Sequence, residues 1–244
     1  MPRATVTSCW SPSRIADTRA AGGGGPVTPA ADRIVPVAGH GGVPNSGASA
    51  VVLTLTAITP NSTAYLQVYP TGNRPAQPTS NTNLVPGQSV AALVTSPLGT
   101  GGAVQLHVSQ GSVGFVADVL GYYTSSGSRY VPLTPRRILD TRTAAPVTAG
   151  TDRTVIIAAH NGVPAGATAV IVNTTGVGAS QPLNLQVYPT GNPPSPRTST
   201  VSPQDGYPVP DLVVMRLGTG GAINLSASSG STHVVLDVVG YLTP

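Results

Sequence analysis

The chain has 244 residues; its 12 basic residues are all Arg and its 8 acidic residues are all Asp, giving a net charge of +4. Lacking Lys and Glu, it lacks two strong helix formers, and with 4% aromatics and one Trp it has neither the dense basic face nor the stacking rings of a nucleic-acid binder. Gly 29 and Pro 25 beside 40% apolar content predict a folded, turn-rich β protein rather than helices or disorder.

The N-terminal stretch Met1–Arg14 holds no apolar run of the roughly 7–15 residues that a secretory signal needs, and no stretch reaches the ~18 of a membrane-spanning helix. The expectation is a chain that leaves the cell by another route or a piece of a longer secreted protein. Cys9 is the sole cysteine, which excludes an internal disulfide and reads as incidental.

From Arg14 onward the chain is written twice. Arg14-Ile15-Ala16-Asp17-Thr18-Arg19 returns as Arg137-Ile138-Leu139-Asp140-Thr141-Arg142, and Asp32-Arg33 with His40 returns as Asp152-Arg153 with His160. Leu66–Asn73 (LQVYPTGN) returns unchanged as Leu185–Asn192, and Leu98–Ala103 (LGTGGA) as Leu217–Ala222. A period near 120 is a domain length, far above that of solenoid or propeller repeats. The predicted organisation is repeat one over 1–124, a Ser/Gly linker at 125–128, and repeat two over 129–244.

In chain order, repeat two predicts strands at Tyr130–Pro132, Arg137–Thr141, Thr154–Ala159, Ala169–Gly176, Leu183–Tyr188, Leu212–Arg216, Ile223–Ala227 and His233–Tyr241, with matching strands in repeat one. Turn signals such as Asn161-Gly162-Val163-Pro164 and Gly218-Thr219-Gly220-Gly221 separate them. Short strands punctuated in this way predict an all-β fold of two tandem antiparallel β-sandwich domains with about seven or eight strands each, immunoglobulin-like or jelly-roll. Val104, Leu106 and Val108 alternate with Gln105 and His107, the pattern of a sheet with one wet face. The runs at Phe115–Leu120 and Val234–Val239 are apolar on both faces and predict a central last strand.

The R-I-L-D-T-R motif at 137–142, L-Q-V-Y-P-T-G at 185–191 and L-D-V-V-G-Y at 236–241 together resemble a domain of large exported actinobacterial proteins and of some of their phages. The resemblance spans both repeats and implies an accessory, surface-displayed β domain. Repeat one departs from it at Ala16 and in its leading Trp10-Ser11-Pro12.

The polar positions shared by both repeats are Asp17/Asp140, Arg19/Arg142, Asp32/Asp152, Arg33/Arg153, His40/His160 and Asp118/Asp237. A catalytic reading needs a nucleophile, and no Ser or Cys stands in an elbow such as G-x-S-x-G. The simpler reading is structural: a carboxylate inside an apolar strand needs a partner, and the Arg of the Asp-Thr-Arg motif is available, so Asp118 is expected to pair with Arg19 and Asp237 with Arg142, with Asp17 and Asp140 in reserve. Zinc or calcium spacings are absent, and no cofactor is expected. The candidate binding feature is the Tyr-Pro-Thr-Gly-Asn turn, with Tyr69 and Asn73 in repeat one and Tyr188 and Asn192 in repeat two; the bland reading is that each Tyr caps its own core. The functional expectation is a non-enzymatic structural or adhesive module at the cell surface, meeting an envelope glycan or surface protein and able to self-assemble. The competing readings are a virion component of an actinobacterial phage, such as a capsid decoration or tail protein, and a small hydrolase or hydrolase accessory domain.

Overall fold

The computed structural model describes residues 5–7, 12–77, 79–125, 127–204 and 207–244. Cys9 and Ser126, of the predicted linker, lie outside them. The described residues are all-β and antiparallel, with no α-helix and only two short 3-10 turns, Thr100–Gly102 and Thr219–Gly221. From Ser13 onward they fall into two compact units, Ser13–Ser125 and Ser126–Pro244.

A short strand, β1 (Thr5–Thr7), comes first in the chain. The strands of the first unit then follow as β2 (Ser13–Asp17), β3 (Arg33–Pro36), β4 (Ala50–Ile58), β5 (Ala64–Pro70), β6 (Thr82–Leu84), β7 (Val90–Pro97), β8 (Ala103–Val108) and β9 (Gly114–Thr124). The pairings are nested: β2 with β9, β3 with β8, β4 with β7 and β5 with β6. This is one long antiparallel hairpin, rolled up so that β9 also meets β4 and β8 also meets β5. The eight-strand jelly roll has this order, and the immunoglobulin division of strands does not.

The second unit repeats the plan with β10 (Arg129–Asp140), β11 (Val147–Thr148), β12 (Arg153–Ile156), β13 (Ala169–Val177), β14 (Leu185–Pro189), β15 (Val209–Arg216), β16 (Ala222–Ala227) and β17 (Ser231–Thr243). Here β10 pairs β17, β12 pairs β16 and β13 pairs β15, while the place of β6 is taken by a single bridge, Leu185 to Val201. Two separately predicted strands, Tyr130–Pro132 and Arg137–Thr141, form one strand interrupted by register shifts. The predicted Thr154–Ala159 strand stops at Ile156, because the chain then turns through Ala159 and Asn161 at φ 64° and 51°.

The core of the first unit lies between its sheets, with Leu53, Leu55, Leu66, Leu106 and Phe115 buried together. In the second, Ile157, Leu185, Met215, Ile223 and Leu236 are fully buried. Burying each such side chain contributes about 1.5–3 kcal/mol. The two segments that are identical between repeats meet each other. The Thr100 N–H donates to the Thr71 carbonyl at 2.9 Å, and Thr219 does the same to Thr190. A Cβ on Gly99 would lie 2.2 Å from the Thr71 backbone, and one on Gly218 2.2 Å from that of Thr190, so only Gly permits this approach.

Candidate functional site

Two polar centres are built from the shared residues. The first clasps the opening strand of each unit to the closing one. The register places Arg14 directly opposite Asp118, and a bulge at Ile15 follows before Ala16 resumes opposite Ala117. Cross-strand neighbours are in side-chain reach, and the Arg14 guanidinium donates to both Asp118 oxygens, at 2.9 and 3.3 Å, and to Asp17 at 3.3 Å. Arg19 forks onto Asp17 at 2.9 and 2.7 Å. Thr18 closes the motif: its Oγ1 accepts the Phe115 N–H at 2.8 Å.

The second unit copies each contact. Arg137 lies opposite Asp237 and donates to it at 2.7 and 3.3 Å and to Asp140 at 2.9 Å, while Arg142 holds Asp140 at 2.9 and 2.6 Å. Thr141 Oγ1 accepts the Val234 N–H at 2.7 Å. The expected hydrogen-bonded pairs Asp118–Arg19 and Asp237–Arg142 are therefore replaced by Asp118–Arg14 and Asp237–Arg137. The cause is the register: the second Arg of the motif lies beyond the strand end, where it meets Asp17 or Asp140.

Electrostatics follow these contacts. The Arg19 hydrogen bond holds the Asp17 carboxyl down to about 2, and Arg142 holds Asp140 well below the usual carboxylate range. Burial pushes Asp118, which is fully buried, above its ordinary value against the opposing pull of Arg14.

The second centre lies on the sheet face opposite the core. Leu66 and Val68 point into the core, so Gln67 and Tyr69 point away from it, as does His107 between Leu106 and Val108. This face was expected to be wet, yet Gln67, Tyr69 and His107 are 1%, 2% and 7% exposed. The chain after Pro70 folds back over it: Gln67 Nε2 donates to Thr79 Oγ1 at 2.9 Å, and Asn81 Oδ1 accepts the Val68 N–H at 2.7 Å. Asp32 gathers the covered groups, accepting the Tyr69 hydroxyl, contacting His107 Nδ1 at 2.7 Å and Arg74 Nη1 at 3.3 Å. Burial raises the Asp32 carboxyl, but the hydrogen bonds from Tyr69 and His107 outweigh it and leave it below the ordinary value. Burial and the neighbouring Asp32 push the Tyr69 phenol up to about 12.

In the second unit the Tyr188 hydroxyl donates to Asp152, and burial and that carboxylate raise its pKa. Gln186 again meets its covering segment, donating to Thr198 Oγ1 at 2.9 Å. Ser226 stands in the place of His107 and accepts Arg197 Nη1 at 2.8 Å. Both tyrosines weighed as binding candidates are thus buried side chains with engaged hydroxyls. The Asn73 and Asn192 backbones close their turns on Pro70 and Pro189. His40 and His160 lie exposed in matching turns. Arg33 and Arg153 tie down the preceding loop, Arg33 through the carbonyls of Gly23, Gly24 and Gly25, and Arg153 through Ala145 at 3.3 Å. Among the described residues, no cluster of three His, Cys, Asp or Glu could hold a metal ion, and no helix is long and apolar enough to cross a membrane.

Arg14 and Arg137 are the positions the sequence reading passed over, although they open the repeated motif. His107 has no repeat signal, because the second unit carries Ser226 there. No family model and no curated protein matches the chain.

Proposed function

We propose that the chain is a non-enzymatic display module whose two jelly-roll units work by binding at a cell surface, to an envelope glycan or a surface protein. One observation carries this reading: the acidic residues that both repeats share are engaged inside their own units. Asp17 and Asp118 are held by arginines and Asp32 by Tyr69, and the same holds for Asp140, Asp237 and Asp152. Duplication has therefore preserved scaffold chemistry in both units. The motif resemblance to exported actinobacterial domains points to the same setting, and two units on one chain gain avidity at a repetitive surface.

The test is co-sedimentation of the full chain with purified actinobacterial cell walls, with and without stripped glycans and proteins. Saturable binding supports the proposal. Binding to phage particles alone would move the reading to a virion component, a role that jelly rolls fill elsewhere. Hydrolysis of an ester, peptide or glycoside that disappears in His160→Ala would overturn both.

A further inference from the structure

In the second unit β12 is an edge strand, bonded among the described residues on one side only, in the order β12-β16-β14. Its register runs from Arg153 opposite Leu225 to Ile156 opposite Ala222, and Ile157 continues it by donating to the Gly221 carbonyl at 3.0 Å. Antiparallel bonds recur at every second residue, so Arg153 and Val155 bond inward like Ile157. The backbone N–H and C=O of Thr154 and Ile156 then point away from β16. The first unit has the same register, with Val37 donating to Gly102, so Ile34 and Pro36 hold the outward positions of β3. Pro36 has no N–H, and a proline on an edge strand blunts it against pairing. At the equivalent place Ile156 keeps its N–H and is 58% exposed. One repeat therefore has a closed edge and the other an open one.

Beside the open edge lies a shallow groove of about 370 Å³ lined by Ile138, Arg153, Thr154, Ile156, His160 and Asn161, among others. Its lining residues include three side-chain nitrogen donors, the Arg153 guanidinium, the His160 imidazole and the Asn161 amide, and no carboxylate. Among the described residues Arg153 gives one nitrogen to the Ala145 carbonyl, and the rest of its fork remains for a ligand. The turn bounding the groove is left-handed at Ala159 and Asn161, where the first repeat has Gly39 and Gly41. An alanine there costs about 1–2 kcal/mol, and such strain concentrates at ligand-binding sites.

We infer that this edge docks an extended acidic peptide by strand addition. The peptide backbone pairs with Thr154 and Ile156, an aliphatic side chain packs against Ile138 and Ile156, and a carboxylate meets Arg153 and His160. The inference rests on the binding role proposed above and narrows its partner to a protein segment.

The probe is a capped hexapeptide of alternating Val and Asp, titrated into the nitrogen-15-labelled full chain. Amide shifts at 153–157 and 138–139 are expected, with no binding by the Val–Lys counterpart. Ile156→Pro, which copies the closed edge of the first repeat, should weaken binding at least about tenfold with an unchanged melting temperature. Two Val–Asp peptides, one N-methylated at every Val and the other at every Asp, keep their charge and each lose the backbone donors of one edge; the one blocked on the pairing edge should bind the unaltered protein at least about tenfold more weakly, a result independent of how the variant folds. Absence of shifts, equal binding by both N-methylated peptides or by folded Ile156→Pro, or an oligogalacturonate outcompeting the peptide at the same amides would each overturn the inference. Peptide binding without cell-wall binding would sink the envelope role and leave the docking site standing; the reverse would sink the docking site alone.

Discussion

Asp32→Asn separates the two repeats at one homologous position. In the first unit the Asp32 side chain is 13% exposed and serves the Tyr69 hydroxyl, His107 at 2.7 Å and Arg74 at 3.3 Å. A hydrogen bond to a charged group contributes about 1.5–3 kcal/mol net, and the half-exposed Arg74 pair less than about 1. Asn retains one acceptor oxygen, so one of the two strong contacts persists in weaker form, and the expected loss is about 2–4 kcal/mol. In the second unit Asp152 is exposed and, among the described residues, takes only the Tyr188 hydroxyl, so Asp152→Asn should cost at most about 1 kcal/mol. Hydrogen exchange of the full chain, followed by mass spectrometry, reads the units separately: β5 and β8 lose protection in Asp32→Asn, while β14 and β16 barely change in Asp152→Asn. Equal losses at the two sites, or less than about 1 kcal/mol at Asp32, would refute the idea that the covered polar face is held by its carboxylate.

Arg14→Gln should destabilise the first unit by about 3 kcal/mol or more because it strands the buried Asp118, whereas Arg19→Gln, 57% exposed, should cost less than about 1; similar urea midpoints for the two variants would restore Arg19 as the essential partner. Asp17 and Asp32 have folded pKa values below their ordinary 3.8, so their stabilisation is present above pH 4 and is lost as pH falls, for Asp17 through about 2; urea midpoints measured from pH 6 to pH 2 should fall, and fall less steeply in Asp17→Asn. Ala159→Gly should raise stability by about 0.5–1 kcal/mol, since glycine occupies the left-handed position at no steric cost; a lower melting temperature would show that the alanine methyl is held by packing. A fragment covering 126–244 should unfold in one cooperative transition by circular dichroism, and an unfolded fragment would show that the units depend on each other.

The all-β class and the duplication were legible because alternation, turn residues and exact segment copies are local signals. The jelly-roll order was not, since the pairing of β2 with β9 joins residues about a hundred positions apart and leaves no local trace. The Arg14–Asp118 pair was hidden for a related reason: the bulge at Ile15 sets which Arg of the motif faces the carboxylate, and residue spacing alone does not reveal a bulge. The face that carries His107, Gln67 and Tyr69 looked solvent-exposed because Gln105 and His107 alternate with apolar residues. What marked it as covered was subtler: Gln67 with Thr79 recurs as Gln186 with Thr198 at the same interval of 119, a shared polar set that a wet surface has no reason to keep.

The nested hairpin also dictates the order in which each unit can be completed. Arg14 waits 104 residues for Asp118, and Arg137 waits 100 for Asp237. As the chain emerges during synthesis, the central β5–β6 pair is the first that can form, and each later strand zips onto one made earlier. The clasp between the opening and closing strands comes last. Closing such long loops is slow, so each nascent unit carries an unsealed sheet edge until its final strand is made. Loss of the closing strand would leave that edge permanently open, and a chain cut short within β17 should be a substrate for quality-control proteases even though nearly all of its core residues have been synthesised.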